Sequence, residues 1–190
     1  MNKMGNTIVN AFANSLPPKI IPKIMKAEKL PCDIIDNVNF CYLHLKTDEA
    51  LGNDINYISR VNHFYCILDF FADIMEIQKI KSSYSYFMCC TGAQQYLSQV
   101  GKIKEHEYAD DYDSSKLLFT FCLISQYVAE AFDLRCCCGI TKGSIIMGAV
   151  SVNTSIINFD TYGDVINMGA RIAKNNDTGV FIKNDDLIKN

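Results

Sequence analysis

The residues best suited to chemistry are Lys81, Asp160, Asn167 and Arg171. Lys81 lies at the end of an expected strand, just before a turn, where its ammonium is a donor-only point charge on a flexible stem. Asp160 follows the apolar Ile156-Ile157 and precedes Gly163, a place for a turn-stabilising carboxylate or a ligand acceptor. Asn167 and Arg171 stand four apart on an expected helix and share one face. An amide aligned with a guanidinium can recognise a sugar and a phosphate, since arginine spreads charge on a phosphoryl oxygen well. Taken singly, each has an ordinary alternative: a solvated lysine, a turn aspartate, a polar helix face.

These side chains need elements to hold them. Val38–Leu45 is an almost continuous apolar run, as in a strand buried on both faces, with His44 near its end. Ile55, Ile58, Val61, Tyr65, Leu68, Ala72 and Met75 mark a helix from about Asp54 to Glu76. Gln78–Lys81 and Phe87–Cys90 read as a strand pair closed at Ser82-Ser83-Tyr84-Ser85. Ser114 or Ser115 can cap a second helix, whose core stripe is Leu117, Leu118, Phe121, Ile124, Val128 and Phe132. Strands at 135–140 and 144–150 follow, punctuated by Gly139 and Gly143. Val165, Met168 and Ile172 mark a third helix, and 179–182 is a last strand. The first part is a βαββαβ order, which predicts an α+β fold: a ferredoxin-like antiparallel sheet with helices on one face. Residues 1–30 read as a leading linker with a short helix from about Lys19 to Lys29, and residues 31–190 as the domain.

A chain of 190 residues fits one domain with a sizeable core. A net charge of −3 and an isoelectric point near 5.6 argue against a basic nucleic-acid surface. A triphosphate needs only a few local cations and is not excluded. No run is apolar and long enough to span a bilayer. The nine cysteines are odd in number and clustered. No Cys-x-x-Cys pair occurs, and neighbours in a strand point to opposite faces, so small buried hydrophobes are the expected role rather than a zinc site.

The motifs carry a resemblance. Lys79-Ile80-Lys81, then Ser85, Met88 and Thr91-Gly92, resemble one signature segment of class III adenylyl and guanylyl cyclase catalytic domains. Tyr84 stands where that segment has a turn glycine. Phe159-Asp160-Thr161-Tyr162-Gly163-Asp164-Val165-Ile166-Asn167, closing with Gly169-Ala170-Arg171, resembles a second. Gly139-Ile140-Thr141-Lys142-Gly143 is similar to the family's Gly-Ile-x-x-Gly hairpin. Leu16-Pro17-Pro18 and Ile34-Ile35-Asp36-Asn37-Val38 resemble the approach to its first strand. The pieces run in register from about residue 16 to 190.

In that register His44 and Ser85 occupy the positions of the family's two metal-binding aspartates. The resemblance therefore implies the metal-free, base-recognising half of a two-domain adenylyl cyclase. A homologous partner domain would hold Mg²⁺ or Mn²⁺, and this chain would bind no metal and be inactive, or nearly so, alone. The residues matching Lys81 and Asp160 would read the base. Those matching Asn167 and Arg171 would orient the ribose and stabilise charge on the α-phosphate as the 3′-oxygen attacks and pyrophosphate leaves. Guanylyl cyclases place glutamate and cysteine at the two base positions, so lysine and aspartate favour ATP. The resemblance also implies a cytosolic domain from a membrane-anchored parent, ending before the family's triphosphate-binding lysine. The competing readings are a guanylyl cyclase half, a catalytically dead regulatory domain, and an RNA-binding module of similar element order.

Overall fold

A computed structural model describes residues 32–46, 54–93, 111–153 and 156–183. The helix expected at Lys19–Lys29, like residues 1–30 generally, lies outside them. In chain order the elements are β1 (Cys32–Leu45), α1 (Ile55–Ile74), β2 (Gln78–Ser83), β3 (Tyr86–Thr91), α2 (Asp111–Ala131), β4 (Cys136–Asn153), β5 (Ile156–Tyr162), α3 (Asp164–Asn175) and β6 (Gly179–Ile182). The strands form one sheet in the order β2-β3-β1-β4-β5, with β6 also paired to β4. Every pairing is antiparallel except that of β4 with β6. The expected α+β antiparallel sheet is thus the observed one.

Strand alternation sorts the core into two layers. Cys41, Leu43, Leu45, Phe87, Cys89, Cys136, Cys138 and Ile140 point to the face covered by α1 and α2. Val38, Phe40, Tyr42, Met88, Cys90 and Cys137 point to the other, where Ile166 and Ala173 of α3 pack. The helices therefore do not share one face: α3 covers the side opposite α1 and α2. Close approach makes this possible. A Cβ on Gly139 would collide with the carbonyl oxygen of Gly169, and one on Gly169 would press on the Phe40 ring.

Asp54 caps α1, its side chain accepting from the Asn56 amide at 2.9 Å. The buried stripe of α1 is Tyr57, Val61, Phe64, Leu68 and Ala72. Ile55 and Ile58, expected inside, are exposed. The helix is apolar around much of its circumference, so spacing alone left its rotation ambiguous. On α3 the buried positions are Ile166, Gly169 and Ala173 rather than the expected Val165, Met168 and Ile172, because two glycines define the closest contact.

The hairpin expected at Gly139–Gly143 is absent. One continuous strand, β4, runs through both glycines, and β5 returns antiparallel from Ile156. Gly143, at φ 154°, takes a backbone conformation that side chains disfavour, so the strand passes this point without reversing. The β2–β3 turn closes tightly at Tyr84-Ser85, with Ser83 paired to Tyr86. Tyr84 is not among the described non-glycine residues with positive φ, so the tyrosine carries no left-handed strain there.

Candidate nucleotide site

Lys81 and Asp160 meet. Lys81 Nζ lies 3.3 Å from Asp160 Oδ2, and the side chains are 44% and 33% exposed. Asp160 Oδ1 also accepts from the Thr161 amide at 2.9 Å, which steadies the carboxylate. This meeting is not trivial. The residues sit on β2 and β5, at opposite ends of the sheet order. A flat sheet would hold those edges roughly 19 Å apart at the usual strand spacing. The sheet must curl strongly, as twist accumulated over five strands permits.

A bulge aims Lys81. The β2–β3 register shifts between Lys79 and Lys81. Lys79 pairs with Cys89, which faces the α1 and α2 layer, whereas Lys81 pairs with Met88, which faces α3. Strict alternation would have put both lysines on one face. Instead Lys79 bonds Asp69 of α1 at 2.7 Å and Lys81 is free to reach Asp160.

Asp160 stands shortly before α3. Gly163, at φ 147°, makes the turn into the helix, a conformation that a side chain would strain. Asn167 and Arg171 then lie exposed, one turn apart on α3. Neither side chain makes a hydrogen bond or ion pair among the described residues. The four expected residues therefore divide into a touching pair and two open side chains on the helix that follows β5.

His44 and Ser85 also come together. Among the described residues, His44 Nδ1 lies 3.0 Å from the Ser85 carbonyl oxygen, and the Leu45 amide donates to the same oxygen at 2.8 Å. A carbonyl only accepts, so Nδ1 carries the proton. Partial burial lowers the His44 pKa below its ordinary 6.5, and the charges of Lys46 and Lys174 add to this, against the hydrogen bond to Ser85. The imidazole is thus neutral near pH 7. Lys46 Nζ donates to the carbonyls of Ala173 and Lys174, at 2.9 and 3.0 Å, closing the C-terminal end of α3. Lys174 Nζ sits 5.9 Å from the centre of the Tyr42 ring, which stacks on Tyr86. Sequence reasoning missed this frame of two lysines and two tyrosines, although Lys46 and Tyr42 both lie two residues from His44. The corner does not fit Mg²⁺ or Mn²⁺. Those ions want carboxylate oxygens, and the groups here are an imidazole already hydrogen-bonded, a serine, and two ammonium groups.

No helix among the described residues is long and apolar enough to cross a membrane. The family model described as the adenylate and guanylate cyclase catalytic domain matches residues 33–181. No curated protein sequence matches the chain. Among solved structures, the catalytic core of a rhodopsin-guanylyl cyclase with converted specificity, in complex with ATPalphaS, superposes with a TM-score of 0.65 at 14% identity, over 82% of this chain and 81% of that one. The guanylate cyclase domain of RhGC from Catenaria anguillulae, in complex with GTP, gives 0.65 at 13%, over 82% and 81%. The adenylyl cyclase CyaB from P. aeruginosa gives 0.62 at 10%, over 83% and 81%. At such identities the structures speak for the fold and the family model for the lineage, and together they establish that the chain belongs to the adenylate and guanylate cyclase catalytic domain family, as a nucleotide cyclase catalytic domain.

Proposed function

We propose that this chain is the base-recognising half of a heterodimeric cyclase and that its substrate is ATP. Cyclase domains act as dimers on nucleotides and generally use Mg²⁺ or Mn²⁺. In this reading the partner is a homologous domain carrying the carboxylates that His44 and Ser85 replace, and it brings the metal. Lys81 Nζ donates to adenine N1 and the Asp160 carboxylate accepts from the N6 amino group. Guanine presents the opposite order, a donor at N1 and an acceptor at O6. A mispaired buried group costs about 1–3 kcal/mol, so two ordered contacts discriminate usefully. Asn167 orients the ribose. Arg171 spreads the charge that develops on the α-phosphate as the 3′-oxygen attacks and pyrophosphate leaves.

The observation that carries this reading is the meeting of Lys81 with Asp160 from opposite sheet edges. It presents one donor beside one acceptor, as the edge of adenine requires. Opening the exposed ion pair to admit a base costs at most about 1 kcal/mol. The misfit of the His44 corner to hard cations supports the second half of the proposal, and no step here runs through a metal held by this chain.

The test is reconstitution. The chain is mixed with a metal-bearing cyclase domain and assayed with ATP and with GTP. Cyclic AMP from the mixture, and none from the chain alone, is the expected result. Equal turnover by the chain alone would defeat the half-site assignment, and a preference for GTP would defeat the base assignment.

A further inference from the structure

Seven of the nine cysteines are buried, as small hydrophobes should be, but they are not dispersed. The sulfur atoms of Cys41, Cys122 and Cys138 all lie within 4.8 Å of one another. Cys122 Sγ donates to Cys41 Sγ at 3.4 Å. All three side chains are fully buried and come from β1, α2 and β4, so rigid elements fix the triangle. Cys89 sits opposite Cys41 across the β1–β3 pairing, and Cys136 lies two residues from Cys138 on the same strand face.

A side-chain donor borders the cluster. The Gln126 amide donates to Cys136 Sγ at 3.2 Å and to Cys138 Sγ at 3.5 Å. A donor aimed at sulfur stabilises a thiolate more than a thiol.

We propose that Cys41, Cys122 and Cys138 form a three-sulfur site, separate from the nucleotide site, that takes a soft monovalent cation of the Cu(I) type. Sulfur-only ligation selects thiophilic ions. Structural zinc is almost always four-coordinate, whereas only three sulfurs converge here among the described residues. Binding releases the proton of each thiol that ligates as thiolate, and the ion joins β1, α2 and β4 beneath the sheet. The ligands come from three distant stretches, so no local spacing announces them.

The test uses the chain with both exposed thiols removed (Cys32→Ser, Cys66→Ser), refolded without oxygen in the presence of Cu(I) and then challenged with a Cu(I) chelator. About one Cu(I) per folded chain is expected to survive the challenge. X-ray absorption at the copper edge should find sulfur neighbours only. Cys122→Val should lower retention at least tenfold, while Cys90→Ala and Cys137→Ala, on the opposite sheet face, should leave it unchanged. Circular dichroism checks that each variant folds. Should Cys122→Val fail to fold, Cys138→Ala and the absorption spectrum of the parent chain decide. No retained copper, nitrogen or oxygen in its first shell, retention undiminished without Cys122 or Cys138, or preferential uptake of Zn(II) would each overturn the proposal.

Discussion

The chain holds two polar corners, and they have been furnished in opposite ways. At one, Lys81 and Asp160 pair opposite charges in partial solvent. At the other, His44 and Ser85 share a hydrogen bond within a frame of positive charge from Lys46 and Lys174. The first leaves a donor and an acceptor partly open to solvent. The second has turned its polarity inward, with the imidazole proton held by a carbonyl and Lys46 held by the end of α3. One domain therefore carries polar groups in two dispositions, a pair left partly open to solvent and a pair tied into the backbone. The fold tolerates this because the sheet and α3 hold both corners through apolar packing, not through the polar groups themselves.

This contrast can be broken most severely at Arg171. In the reconstituted pair, Arg171→Ala should cut cyclic nucleotide formation about 10²-fold or more, the usual cost of removing a donor from developing negative charge. Thermal unfolding should be unchanged, because the side chain is exposed. A variant of undiminished activity would make this chain a regulatory rather than a catalytic half. The next effect is on selectivity. Lys81→Glu combined with Asp160→Cys should swing the ratio of ATP to GTP turnover by tenfold or more, from two contacts of about 1–3 kcal/mol each. The same double variant should lose under about 1 kcal/mol of stability, because the ion pair it deletes is exposed. Smallest is a pH effect at the inward corner. The folded pKa of His44 lies below its ordinary 6.5, so the unfolded chain takes up the proton first as pH falls. Stability should therefore decline with acidification just below pH 6.5 and recover above it. Denaturant melts of His44→Gln across that window should show a shallower slope. An identical slope would mean that His44 is not held neutral.

Much of the fold was legible because its signals are local. The apolar run of β1, the existence of α1 and α2 and the order of elements all follow from residue type at short range, whereas α2 begins at Asp111, so Ser114 and Ser115, expected as its cap, lie within the helix. The rotation of α1 was not legible, because Ile55 and Ile58 look as apolar as the residues that are buried. Nor was the continuity of β4, since glycines 139 and 143 read as turn signals. In fact the first admits α3 closely and the second lets an extended strand pass a disfavoured φ. The side of the sheet taken by α3 was likewise hidden, because βαββαβ order says nothing about a helix added after it.

By itself the sequence supplied the list of candidate groups, Lys81, Asp160, Asn167 and Arg171, and its resemblance to the family singled out His44 and Ser85. Tertiary structure alone decided that Lys81 meets Asp160, that His44 meets Ser85, and that the thiols at 41, 122 and 138 share one point. The reason is physical. Residue type and period act over a few positions, whereas a bulge, the accumulated twist of five strands and the packing of a helix act over the whole chain.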